Sequence, residues 1–369
     1  AQARWLTIIP PVTATPVATA GLWRLLATLL PAPRWFAVRP PRLVWEVHAD
    51  PRGMRCGLWL PPGINPTAVT RLLQRAWPGV RTTHARPPRL GSHWPVVAVA
   101  LQPTRPDWLP LVEDPDPPSG HRWGQQAPEE DRLRAVYDGL AAAGRTGGGL
   151  LQVIVSRAPR HRLAALRKAT THPGQVRRAR GAGRIAGFLA DALRAIIIAG
   201  LDVLTPGPPT RARAADRRDP NTADLARQAR AKLACAPHLL VAVHATATGP
   251  TRAAALAAAD DITSGFGLLS AHLARRRIRR ARASATWRWV PAARMDLASV
   301  DETAALAGLP GEPAAYGLPA AASRRRPAAR DTFTATPAAS RGQRTPQRPA
   351  TPPKGGAAGA PQPGVWSTP

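Results

Sequence analysis

Between Arg42 and Gly79 the apolar positions change period partway along. Leu43, Trp45 and Val47 alternate with more polar neighbours, and Met54, Cys56, Leu58 and Leu60 do the same. A period of two buries one face of a strand, so both stretches read as half-buried strands. Asp50-Pro51-Arg52-Gly53 between them has the composition of a hairpin turn. Past Pro61-Pro62-Gly63 the pattern becomes helical, with Val69, Leu72, Leu73 and Ala76 on one stripe. Asn65 followed by Pro66 marks its start, because proline lacks only an N–H that a first turn leaves unpaired. Upstream, Leu6–Ile9 is a short apolar strand ended by Pro10-Pro11, and residues 15–30 carry a broad apolar face suited to a helix on a sheet. Val80–Ala85 adds another strand. The order β-α-β-β-α-β over residues 1–90 predicts a ferredoxin-like unit.

The same order recurs, expanded, over residues 91–310. Trp94–Leu101 is a strongly apolar strand, followed by a proline-rich loop over 103–128. Glu129-Glu130-Asp131 opens a helix to about Ala143, with acidic residues at the end the helix dipole favours. The glycines at 147–149 stop it before a strand at Leu150–Val155. A helical insertion, about 160–235, is broken by Pro206-Gly207-Pro208-Pro209. His238–Thr246 is a strand, and Thr251–Leu273 a helix with Ile262, Phe266, Leu269 and Leu273 on its stripe. Ala285–Val290 reads as the last strand and Val300–Leu309 as a short helix. The predicted fold class is α+β: two tandem ferredoxin-like units, the second with a helical insertion, then a tail over 311–369. Beyond about Arg324 the tail is Pro, Ala, Thr, Arg and Gly with almost no large apolar residue. Burial there cannot offset the entropy of ordering, so the tail is expected to be disordered.

Charge changes the picture most. Against 51 basic residues stand 22 acidic ones, a formal net charge of +29 over 369 residues. Only Lys168, Lys232 and Lys354 are lysines. A GC-rich genome would exchange lysine for arginine, but it would not remove the acids. The excess favours polyanionic partners, nucleic acid or an anionic membrane surface, over a biased composition alone. Cys56 and Cys235 lie far apart, without the spacing of a disulfide framework or a cysteine zinc site. The longest apolar run, Ile185–Leu204, contains Asp191, Arg194 and Asp202. Each would cost about 2.5–3.5 kcal/mol near a bilayer centre, so a buried helix is expected rather than a membrane span. With no secretory signal pattern at the start, a cytoplasmic setting is expected, with a peripheral place at the inner face of the membrane as the variant.

Arg275, Arg276, Arg277, Arg279, Arg280 and Arg282 form the sharpest cluster of potential function. They suit a sequence-independent, salt-sensitive contact to phosphates. They equally suit a helix C-terminus, where carbonyls lack partners. Arg177, Arg178 and Arg180, with Arg184, make a second group. Trp45, Trp59, Trp77 and Trp108 could stack on bases, though their apolar settings favour core packing. RGMRCGLW at 52–59 begins like an RNA-reading strand but has Met54 and Cys56 where stacking aromatics belong. No His, Cys or carboxylate grouping has metal spacing, and no nucleophile elbow or triad assembles. No catalytic residue, metal or cofactor is therefore expected.

Several segments carry a resemblance: LTIIPP at 6–11, LVWEVHADPRGMRCGLWLPPGI at 43–64, AWPGV at 76–80 and RPDWLPL at 105–111. LLQVIVSRAP at 150–159, LDVLTPGPPTRAR at 201–213 and LAGLPGEPAAYGLPAA at 306–321 continue it. Over residues 5–325 the chain resembles the N-terminal, non-motor region of conjugative DNA-transfer ATPases of high-GC Gram-positive bacteria. These are relatives of type IV secretion coupling proteins and hexameric DNA translocases. The resemblance implies a DNA-contacting or assembly role beside a separate motor ATPase or membrane components of a secretion machine. No lysine here is followed by Ser or Thr, so the Walker A loop that opens the family's motor is absent and ATP hydrolysis is not implied. A stand-alone basic nucleic-acid-binding protein and an inactive truncated remnant are the alternatives.

Overall fold

A computed structural model of the chain describes residues 3–32, 41–91, 93–113, 131–173, 176 and 220–321. The chain divides after Ser323, and everything described belongs to the first part. The tail expected over 311–369 begins later than that: residues 311–321 are ordered, with a 3₁₀ turn at Pro313–Tyr316 and Leu318 in the main core. The rest of the tail, the 177–184 arginines and the apolar run at 185–204 lie outside the described residues.

The hairpin and its flanking elements form where the hydrophobic pattern places them. β1 spans Arg4–Ile9, α1 Pro16–Leu29, β2 Arg42–Asp50, β3 Gly53–Leu60, α2 Pro66–Ala76 and β4 Arg81–Ala85. Thr15 and Asn65 cap the two helices, the Asn65 side chain accepting from the Thr67 N–H at 2.9 Å. Each thereby satisfies an N–H that a first turn leaves without a partner. Next come β5 (Val96–Pro103), α3 (Arg134–Thr146), β6 (Gly148–Arg157), α4 (Arg160–Ala169) and α5 (Pro220–Ala234). The chain continues through β7 (Leu239–Thr248), α6 (Arg252–Ser264), β8 (Leu273–Arg277), α7 (Ala281–Trp287), β9 (Asp296–Ala298) and α8 (Val300–Leu306). Ser299 and Glu302 close a reciprocal capping box on α8.

The nine strands of the described residues join one sheet, eight of them in the order β4-β1-β3-β2-β6-β7-β5-β8, and their pairings are antiparallel. β9 pairs with Leu239–Val241 at the start of β7, on the side that β5 takes further along. The sheet runs unbroken past residue 90 because β2 pairs with β6, from Arg42 opposite Ser156 to Ala49 opposite Gly149. Helices cover both faces. Leu43, Trp45 and Val47 on the first face join Leu22, Trp23, Leu73, Tyr137 and Phe266 in the main core. Val44 and Ile154 on the second face pack with Leu166, Ala229 and Met295.

Two expectations near the C-terminal end are corrected. The helix expected over 251–273 stops at Ser264, passes through a 3₁₀ turn at Gly265–Leu268 and gives way to strand β8. Its apolar stripe continued, but Gly265 sits where α3 comes too close for a side chain. A Cβ there would lie 2.5 Å from the Val136 nitrogen. Gly265→Ala is accordingly expected to force α3 and α6 apart at a cost of about 1–3 kcal/mol, read as a lower urea midpoint with an unchanged m-value. The strand expected at 285–290 is instead helical as far as Trp287. Ala281 and Ala285, one turn apart, face the sheet, and the strand position beside β5 is already taken by β8. Edge strand β8, LARRR, shows no apolar alternation because most of it is exposed.

Candidate functional site

At the corner where β5 begins and β8 ends, a groove of about 960 Å³ opens between the first turn of α6 and the start of α7. Five arginines line it: Arg252 from α6, Arg277 from β8, Arg279 and Arg280 from the following turn, and Arg282 from α7. Among the described residues no acid lines it. Trp94, Pro95, the β5 residues Val96, Val97 and Ala98, and Leu256 of α6 line it as well. The first turn of α6 adds the positive end of its dipole to the same side.

The six predicted arginines do not act alike. Arg275 sits on β8 opposite Leu101, and its guanidinium donates to the Asp260 carbonyl at 3.4 Å. That is the helix C-terminal role, since Asp260 belongs to the last turns of α6. Arg276 pairs with Ala100 and points from the opposite face of β8 to its neighbours. Arg277, Arg279 and Arg280 are exposed in the groove wall. Arg282 spans back to the Gly91 and Trp94 carbonyls, each at 3.2 Å, and so braces the wall that carries Trp94. Arginines on a sheet edge also discourage edge-to-edge pairing. That role explains β8 but does not extend to Arg252, Arg279 and Arg280, which lie off the strand.

Sequence reasoning missed Arg252 and Trp94. Arg252 stands alone in an alanine-rich stretch, and Trp94 opens an apolar strand pattern, so neither carries a local signal. Of the tryptophans considered for stacking, Trp45, Trp77 and Trp108 are buried. Trp59 is half-buried beneath Arg42, whose guanidinium carbon stands 5.1 Å from the ring centre.

What fixes α7, and with it the basic segment, is a buried polar network beneath it. Glu46 of β2 is fully buried at the centre of the second face. One of its carboxylate oxygens accepts from Arg288 Nε at 2.6 Å and Gln152 Nε2 at 2.7 Å, and the other meets His48 Nε2 at 3.2 Å. Gln152 also donates to the Ala285 carbonyl of α7 at 2.9 Å. Burial alone would raise the Glu46 pKa, but the hydrogen bonds and charges of His48 and Arg288 hold it at about 2. Arg288 reaches Glu46 from a left-handed backbone, φ 52° and ψ 41°, at the C-cap of α7. That conformation costs a non-glycine residue about 1–2 kcal/mol, which the ion pair offsets. Arg42 completes the clamp by donating to the Arg288 and Trp287 carbonyls at the end of α7. Nearby, burial lowers the His244 pKa to about 4.

A second network joins the helices of the insertion to the C-terminal segment. Lys232 of α5 is buried and donates to the carbonyls of Asp107, Leu109 and Leu297 at 3.0, 2.7 and 2.6 Å. It also pairs with Glu302 at 3.1 Å. Arg162 of α4 pairs with Asp107 and donates to the Met295 carbonyl at 2.7 Å. These charges are spent on one another and on backbone carbonyls, an arrangement that holds elements together.

Among the described residues no three His, Cys, Asp or Glu side chains are grouped to hold a metal, and no helix is long and apolar enough to cross a membrane. No family model, curated protein or solved structure matches the chain.

Proposed function

We propose that the chain is a non-catalytic nucleic-acid-binding module that holds the phosphate backbone in the groove beside β8. One observation carries this reading: arginines from α6, β8, the β8–α7 turn and α7 converge on one groove with no acid among its described lining residues. Arginine presents a planar fork that matches phosphate oxygens, and the groove reads no base edge, so binding is sequence-independent. The net charge of +29 draws such a partner from a distance.

The strand order supports a finer fold reading within the proposal. β4-β1-β3-β2 is the order of a ferredoxin-like unit, and β8-β5-β7-β6 repeats it. The two units then meet through their second strands. The resemblance to the non-motor region of conjugative DNA-transfer ATPases supplies a setting, an accessory piece that positions DNA for a separate motor or for secretion partners in the cytoplasm.

Labelled duplex and single-stranded oligonucleotides, titrated with the full chain at low salt, test the reading. Replacing Arg252, Arg277, Arg279 and Arg280 together by alanine is expected to weaken binding on the order of 100-fold. Removing the same charge from Arg71, Arg75, Arg145 and Arg230, exposed elsewhere, is expected to change it less than 10-fold. Equal losses from both sets would mean that only net charge matters, and no binding at low salt would remove the function altogether.

A further inference from the structure

Resting on the phosphate-contact reading above, the structure assigns Trp94 as a base-stacking residue, so that the groove selects strands with unpaired bases. Trp94 lines the same groove as the arginines and keeps 41 % of its surface exposed. One part of the ring packs against the end of α3, and the rest is left in water at a cationic groove. Two contacts seat it. Arg282 donates to its carbonyl at 3.2 Å and to that of Gly91 at 3.2 Å. Gly147, at the end of α3, leaves room for the ring. A Cβ there would lie 2.8 Å from the indole and 2.2 Å from the Thr248 carbonyl. The indole is thus placed by the fold, and Arg282 acts on the groove as a positioning residue.

The selectivity follows from what each nucleic acid can offer. An unbroken duplex keeps its bases stacked on one another and presents phosphates and groove edges. Arg252, Arg277, Arg279 and Arg280 can engage it, but Trp94 finds no free base face. An unpaired strand offers phosphates and bases together, and any base will do because every base has a π-face. The groove volume of about 960 Å³ falls in the range of small-ligand sites, fit for a short stretch of strand. Trp287, more exposed than Trp94 but not a lining residue of the groove, serves as the control.

The test compares a labelled oligothymidine with an abasic strand of the same length, which keeps the phosphates and lacks the bases. A hairpin duplex is run alongside, all at one salt concentration and with the full chain. Stacking of one base predicts 5- to 150-fold tighter binding of oligothymidine than of the abasic strand. Trp94→Ala is expected to erase that ratio, Trp94→Phe to keep part of it, and Trp287→Ala to leave it intact. Arginine-dependent binding with no preference for bases would overturn the stacking role and leave the phosphate reading standing. A preference that survives in Trp94→Ala, or an equal loss for both strands, would also overturn it. Absence of binding to any strand would end both readings.

Discussion

Replacing Arg288 by alanine is expected to cost about 3–5 kcal/mol of stability, because it takes from the buried Glu46 carboxylate the guanidinium partner and leaves His48 alone beside it. Glu46 is fully buried, and Arg288 Nε stands 2.6 Å from it. The loss would appear as a lower urea midpoint at pH 7. Acid sensitivity adds a second readout. With its pKa held at about 2, against an ordinary 4.5, Glu46 contributes stability that is full above pH 4.5 and lost as pH falls toward 2. The difference corresponds to about 3 kcal/mol. His244, lowered from 6.5 to about 4, acts in the same direction at higher pH. The unfolded chain takes up its proton first, so stability falls from pH 6.5 toward 4. Wild-type stability should therefore decline in two stages, and the lower stage should move to higher pH in Arg288→Ala, where burial opposes the charge of Glu46 with less to hold it. A cost below 1 kcal/mol with an unmoved acid limb would show that the pair is not what seats α7.

Lys232→Ala should be comparably severe, at about 3–5 kcal/mol. Three carbonyls and the Glu302 carboxylate converge on one ammonium group, at 2.6 to 3.1 Å. Lysine is rare in this chain, three among 51 basic residues, and this position explains one of them. A compact ammonium can aim its donors in three directions, whereas a guanidinium spreads its donors in a plane. Lys232→Arg should therefore fail to rescue, and the pair Lys232→Met with Glu302→Gln should recover part of the loss by removing the stranded charge. Thermal unfolding of the four proteins checks this. Full stability of Lys232→Arg would contradict the role of the ammonium shape.

How much of this was legible in the sequence depends on where each signal resides. Period-two alternation at Leu43, Trp45 and Val47 marked β2, yet the strand is buried on both faces and not half-buried, its second face carrying the polar Glu46 and His48 beside Val44. Asn65-Pro66 marked α2 because capping is local chemistry. β8 was missed because an edge strand with most of its surface in water needs no apolar alternation. α7 was misread as a strand because Ala-Thr-Trp-Arg-Trp-Val alternates in size, while the contacts that make it helical come from Gln152 and Arg42, far away in sequence. Glu46 and Lys232 looked like ordinary charges, since nothing local shows that a fold will bury them. The arginine cluster was visible as composition, but its division into groove wall, helix-end partner and brace depends on tertiary contacts. Arg252 and Trp94 join the groove only through the fold, which brings α6 and the start of β5 to the end of β8.

The salt dependence of nucleic-acid binding tests the central reading most directly. Affinity of the full chain for a single strand should fall linearly on a log–log plot of binding constant against salt. Each phosphate neutralised contributes about 0.7 to the slope, or about 0.9 on duplex. Removing Arg252, Arg277, Arg279 and Arg280 should therefore flatten the slope by roughly 3. A quadruple variant with the wild-type slope would show that these arginines contact no phosphate and that the groove beside β8 is not the binding site.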